Sequence, residues 1–178
     1  MAEPNRTVAA RRRALKGVSV GLSMALAPAL SSPAAARDTA AERAPEFALR
    51  ASGGEPVLAD GSRWRATYLD FWASWCAPCQ LSFPWMNDMH DRFAASGLRI
   101  VAVNLDRRDA DALQFLRKFP PRFEWAMDPG ALIAARLDIK AMPTALLIGA
   151  DRRILWRHHG FRLDDRAELE RRLRAQAG

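Results

Sequence analysis

A pair of cysteines with two residues between them constrains this chain more than any other feature. Cys76 and Cys79, in Trp75-Cys76-Ala77-Pro78-Cys79, are its only cysteines among 178 residues. Two sulfurs at that spacing close a small disulfide or open to a dithiol. A structural crosslink gains its stability mainly by closing a long loop of the unfolded chain. This loop is about as short as loops get, so the pair suits switching better than stapling.

The flanking residues say where the pair sits. Tyr68 to Trp72 is aromatic and apolar and reads as a buried strand. Leu81, Trp85, Met86, Met89 and Phe93 recur at spacings of three and four, the pattern of an amphipathic helix with one face on a sheet. Cys76 therefore lies where a strand ends and a helix begins. Unpaired N–H groups and the helix dipole there favour a thiolate, the attacking species in disulfide exchange. Cys76 is accordingly read as the nucleophile and Cys79, one turn into the helix, as the shielded resolving thiol. Asp70 interrupts the apolar strand six residues before Cys76. Desolvation there would raise its pKa and fit it to take the proton of Cys79; the competing reading is a carboxylate facing out at a strand end. Pro84 is expected to kink the helix and free a carbonyl. Ala141 to Ile148 reads as a turn entering a strand, with Pro143 at its first positions.

These elements together resemble the thioredoxin superfamily, and within it the periplasmic TlpA/ResA/DsbE branch of thiol–disulfide oxidoreductases. The resemblance rests on Asp70-Phe71-Trp72-Ala73-Ser74-Trp75-Cys76-Ala77-Pro78-Cys79, on Pro84, on Met142-Pro143-Thr144 and on Gly160. It runs from about Phe47 to the C-terminus. It implies an α/β thioredoxin fold: a mixed central sheet flanked by helices, with an N-terminal hairpin and a helix–strand insertion. It also implies a cis Pro143 facing the disulfide, and a substrate groove formed by Met142, Pro143 and Thr144. Disulfide-containing client proteins would be the partners, reduced with electrons from a membrane thiol transporter. Two positions depart from the branch. Ser82 stands where it usually carries an acidic residue, and Asp70 where it usually carries asparagine. Asp70 matches the buried acid of ordinary thioredoxins, which places the proton-handling group on the strand instead of the helix.

The N-terminus reads as a targeting segment. Arg11-Arg12-Arg13-Ala14-Leu15-Lys16 precedes an Ala-, Gly- and Ser-rich apolar run from Val18 to Leu30, and Ala34-Ala35-Ala36 offers a small-residue cleavage site. Arg11-Arg12-x-x-Leu15-Lys16 resembles the twin-arginine motif, with Ala10 and Ala14 as departures. The expected organisation is an export signal over 1–36, a polar linker over 37–46 and one domain over 47–178, delivered to the periplasm; an uncleaved anchor is the alternative fate of the leader. The formal charge of +7 falls to +3 once residues 1–36, with five basic residues and one acid, are removed. The remaining arginines read as a solvated face and not a nucleic-acid patch. A monomer is expected.

Along the domain, Gly53-Gly54 and Asp60-Gly61 mark turns of a short hairpin. Leu98 to Asn104 is a second buried strand, parallel to the first. Asp109 to Phe119 is a helix with Leu113 and Leu116 inward, ended by Pro120-Pro121, and Phe123 to Ala126 is a short strand. Asp128 caps another helix with Pro129 in its first turn. Thr144–Gly149 and Arg153–His158 flank a turn at Asp151-Arg152, and Asp165-x-x-Glu168 is a capping box for a last helix with Leu169 and Leu173 inward.

Rival chemistries fit less well, and no cofactor is expected. Zinc needs three or four protein ligands, and His158-His159, adjacent on a strand, point to opposite faces. Covalent haem attachment needs histidine where Gln80 stands. Leu69 and Ala73 occupy the places of the proline and hydroxyl that accompany a peroxidatic cysteine. Trp72, Met86 and Met89 read as core, whereas Trp75 is expected to cover the disulfide and touch clients. The alternative functions are a client-binding module whose redox state tunes affinity, or an oxidant of the same chemistry.

Overall fold

The computed structural model describes residues 42–58 and 63–178. The export signal, the twin-arginine motif, the first part of the linker and the Asp60-Gly61 turn lie outside them. Five strands form one mixed sheet in the order β3-β2-β1-β4-β5: β1 (Ala66–Trp72), β2 (Leu98–Asn104), β3 (Glu124–Met127), β4 (Thr144–Gly149) and β5 (Ile154–His159). β1 runs parallel to β2 and antiparallel to β4, so it is central and all seven of its residues are buried. Four helices cover the faces: α1 (Ala77–Phe93), α2 (Asp109–Lys118), α3 (Leu132–Arg136) and α4 (Arg166–Ala177). This is the α/β thioredoxin architecture expected. Among the described residues no helix is long and apolar enough to cross a membrane.

Alternation along β1 divides the core. Tyr68 and Trp72 join a cluster with Cys79, Phe83, Met86, Phe115, Leu169 and Leu173, under α1, α2 and α4. Leu69 and Phe71 join the opposite cluster with Val57, Ile133, Ala134 and Leu137, under α3 and the N-terminal segment.

Two helix faces differ from expectation. Leu81 is exposed, because the buried stripe of α1 runs through Cys79, Phe83, Met86 and Phe93 and residue 81 falls on the far side. Leu113 is exposed as well, since α2 buries Ala112, Phe115 and Leu116. α1 continues through Pro84 as one helix. The expected hairpin shrinks to a single bridge, Arg50 with Pro56, around the Gly53-Gly54 turn. Residues 42–46 are not a linker. The N–H of Ala44 donates to Arg152, the carbonyl of Glu42 accepts from Ile154, and Ala44 is buried. Further along, the stretch before β1 is clasped from the sheet: the buried Arg99 of β2 donates to the carbonyls of Pro56 and Val57 and pairs with Glu124 of β3.

Asp128 caps α3, although the helix begins only at Leu132, so Pro129 lies in the turn before it. The carboxylate accepts the N–H groups of Leu132, Ile133 and Ala134 at 2.9–3.0 Å. Asp128→Ala should cost about 1–2 kcal/mol in urea denaturation, as loss of a strong cap does; no change would assign the helix start to packing alone. Asp165 forms no capping box with Glu168. Its carboxylate accepts the Arg162 N–H of a preceding 3-10 turn, and Glu168 pairs with Arg171 and Arg172.

α4 is tied to α1 through Glu170, which accepts from Arg92 and Arg174. Those hydrogen bonds hold its carboxyl at about 2, below its ordinary 4.5. A lowered folded-state pKa contributes stability above the unfolded value, and that contribution is lost as pH falls from 4.5 toward 2. The groups are partly exposed, so screening keeps the contribution below about 1 kcal/mol. Glu170→Gln should lower the melting temperature slightly at pH 7 and not at pH 2; an equal effect at both would remove the charge from the explanation.

Candidate active site

β1 ends at Trp72, and four residues later α1 starts with Cys76 at its N-cap. Cys76 and Cys79 are joined in a disulfide, their Cα atoms 5.3 Å apart. Pro78 occupies the first turn, among the described residues no side chain caps the helix, and no acidic residue lies in that turn. The positive end of the α1 dipole therefore meets Cys76 unopposed by a local carboxylate. Cys76 keeps 4 % of its surface and Cys79 none, so the accessible edge of the disulfide belongs to Cys76. The preceding Trp75 is 70 % exposed.

The platform beneath is aromatic. Trp72, Phe83 and Phe115 pack with ring centroids 4.6–4.9 Å apart, and Phe123 adds to Phe83 at 5.4 Å. Rings are large, rigid fillers, so the strand end and the helix start are held as one body. Beside it, Ser74, Gln80, Gln114, Lys118 and Phe119 line a shallow cleft between α1 and α2.

Asp70 faces inward, not outward. It is 1 % exposed and lies between Tyr68 and Trp72 on the face that also carries Cys79. Its neighbours across the sheet are alanines on both sides, Ala102 and Ala145, which leave room for the carboxyl without a polar partner. Among the described residues Oδ2 has no hydrogen-bond partner. Burial pushes the Asp70 carboxyl well above the usual carboxylate range. The same burial, with Asp70 beside it, raises Tyr68 well above an ordinary phenol.

The third element comes from β4. Phe71 pairs with Thr144, so Met142 and Pro143 lie just beyond the end of β1, on the side from which the Cys76 turn departs. The Met142–Pro143 peptide is cis. Met142 is half-buried and Pro143 buried. Thr144 follows them into β4. It is fully buried; its hydroxyl donates to the Ala141 carbonyl at 2.7 Å and meets His159 Nδ1 at 3.1 Å. Gly160, with φ +77°, donates its N–H to the Pro143 carbonyl at 2.8 Å, a left-handed conformation that glycine adopts without strain. His158 turns the other way, 3.6 Å from Asp165 and stacked on Trp156.

Residues 40–157 match the AhpC/TSA family model. The chain belongs to that family. Its place in the thioredoxin superfamily is with the TlpA/ResA/DsbE-like oxidoreductases. A solved structure of a thiol:disulfide interchange protein DsbE from Chlorobium tepidum is 40 % identical, with a TM-score of 0.70 over 78 % of this chain and 97 % of that one. The thiol-disulfide oxidoreductase ResA of Bacillus thuringiensis subsp. konkukian is 25 % identical over 127 residues, 71 % of this chain and 73 % of the relative. StoA from Bacillus subtilis shares the fold, with a TM-score of 0.59 at 22 % identity over 70 % of this chain and 93 % of its own.

Two polar features of this AhpC/TSA-family site escape a reading by periodicity. Ser82 is buried and donates to the Cys79 carbonyl at 3.1 Å, filling the place of the branch's usual acid with an uncharged group. Asp106, two residues past β2, reaches Ser74, two residues past β1. An Asn-x-Asp that begins on the last residue of an apolar strand is the only trace of it in the sequence.

Proposed function

We propose that this chain is an exported thiol–disulfide oxidoreductase that reduces disulfides of client proteins through Cys76 and Cys79. The observation that carries it is a disulfide at the start of α1, with Cys76 the member of the pair that keeps some surface. The relatives' names, ResA and DsbE, support the same chemistry.

In the dithiol form the Cys76 thiolate attacks one sulfur of a client disulfide. A mixed disulfide forms and the client's other sulfur leaves as a thiolate. Cys79 then loses its proton and attacks the Cys76 sulfur; the Cys76–client bond breaks and the client's second sulfur leaves. The client gains two electrons and Cys76–Cys79 is left oxidised. Asp70 takes the proton from Cys79, since it lies on the same inner face and burial raises its affinity for protons. Trp75, Met142 and Pro143 contact the client, whereas Thr144 holds the Pro143 loop. A dithiol donor on the membrane returns the electrons. The basic leader and its alanine-rich end support a periplasmic location.

Equilibration of the full chain with glutathione buffers tests the direction. A reductase should poise near or below the thioredoxin value of about −270 mV; a potential near that of DsbA, about −120 mV, would make the protein an oxidant.

A further inference from the structure

We infer that Asp106 is a positioning residue for the exchange reaction, acting through Ser74 to fix the turn that presents Cys76. This rests on the exchange chemistry proposed above but goes to a residue outside the redox pair.

The peptide unit between Ala73 and Ser74 is the link. Its N–H donates to Asp106 Oδ2 at 2.9 Å, and its carbonyl accepts the N–H of Cys76 at 3.1 Å. A peptide unit is planar and rigid. Holding its N–H therefore aims its carbonyl, and the carbonyl anchors the backbone of Cys76. Asp106 Oδ1 takes the Ser74 hydroxyl at 3.0 Å, and Asn104 closes the arrangement, donating to Asp106 Oδ2 at 2.8 Å and accepting the Asp106 N–H at 2.9 Å.

The fold aligns these groups by register. Trp72 and Asn104 are parallel partners at the ends of β1 and β2, and Leu105 still donates to the Trp72 carbonyl. Past that point the backbone ladder stops, and the Asp106 carboxylate takes over the role of the next acceptor. The turn needs such an anchor, because no side chain caps α1 and Ser74 is spent on Asp106. Asp106 is 4 % exposed and Asn104 fully buried. A carboxylate in such a place costs free energy that an apolar residue would not. What it supplies is the orientation of one peptide plane.

Two substitutions in the full chain separate orientation from charge. In Asp106→Asn the amide oxygen can accept from both Ser74 N–H and Asn104, and its NH2 can donate to the Ser74 hydroxyl, so the plane stays held with no charge. In Asp106→Ala the plane is released. The readouts are the pH midpoint of Cys76 alkylation in the reduced protein and the rate of insulin-disulfide reduction per folded molecule. Asp106→Ala should move the midpoint toward that of an ordinary thiol and slow reduction at least about tenfold, within the cost of misplacing a reacting group. Asp106→Asn should leave the midpoint in place and keep the rate within about twofold of wild type.

An unchanged midpoint in Asp106→Ala, with only a lower melting temperature, overturns the inference. So does an Asp106→Asn variant that shifts as far as Asp106→Ala, which would make the effect one of charge. If Asp106→Ala does not fold, Asp106→Glu, which displaces the carboxylate by one methylene, is read by the same criteria. A wild type that fails to reduce insulin refutes the proposed function alone, since the alkylation midpoint needs no client.

Discussion

Cys76→Ser is expected to bring insulin reduction down to the dithiothreitol background, whereas Cys79→Ser should accumulate a covalent adduct with the client. The two cysteines differ in place and so in consequence. Cys76 holds the accessible edge at the helix start; Cys79 is fully buried one turn in. Without Cys76 no mixed disulfide forms. Without Cys79 the mixed disulfide forms, but nothing within the protein resolves it. Non-reducing electrophoresis checks both: an adduct with Cys79→Ser, none with Cys76→Ser. Adducts in the reverse pattern would exchange the assigned roles. Equal activity of wild type and Cys76→Ser would leave a client-binding module instead of an enzyme.

Asp70→Asn should slow the resolving step about a hundredfold, the lower range for a positioned proton acceptor, and should change the pH dependence of stability in a definite direction. Burial holds the folded carboxyl well above its ordinary value of 3.8. Between the two values the folded state binds more protons than the unfolded state, so wild-type stability falls as pH rises above 3.8. The fall is about 1.4 kcal/mol per pH unit until the folded carboxyl ionises. Asparagine does not titrate, so that part of the slope should vanish. At pH 3, where aspartic acid and asparagine are both neutral, the two proteins should be close in stability; at pH 7 the variant should be the more stable. Parallel denaturation curves at the two pH values would mean that Asp70 gains solvent or a partner in the folded protein. An unchanged release rate for the mixed disulfide would place Asp70 outside the chemistry.

Much of this site was legible because it is local. Tyr68–Trp72, the cysteine pair and the apolar spacing after it lie within about 25 consecutive residues, and each obeys a short-range rule: alternation, helix start, helix face. Asp70 could be singled out because a carboxyl within an apolar run has few places to go. The misreadings are also local in origin. Leu81 and Leu113 were assigned inward because leucine is apolar, but the buried stripe is set by which residues meet the sheet, and Cys79 and Phe115 define it. Asp165 has the spacing of a cap, yet a 3-10 turn before α4 claims its carboxylate. The link between Ser74 and Asp106 spans 32 residues and exists only through the parallel register of β1 with β2. No pattern within one element encodes it. The contact of the Thr144 hydroxyl with His159 is of the same kind, made across the sheet from β4 to β5.

The clasp around Arg99 bears on how the protein can be shortened. A guanidinium with so little surface depends on the carbonyls of Pro56 and Val57, which belong to the stretch before the first strand. Trimming the gene to begin at Ala66 would take both carbonyls away, leave Glu124 to hold the guanidinium and uncover the sheet face beneath. A recombinant minimal unit that keeps the clasp starts upstream of Pro56, and one that also keeps the Glu42 carbonyl on Ile154 starts upstream of Glu42.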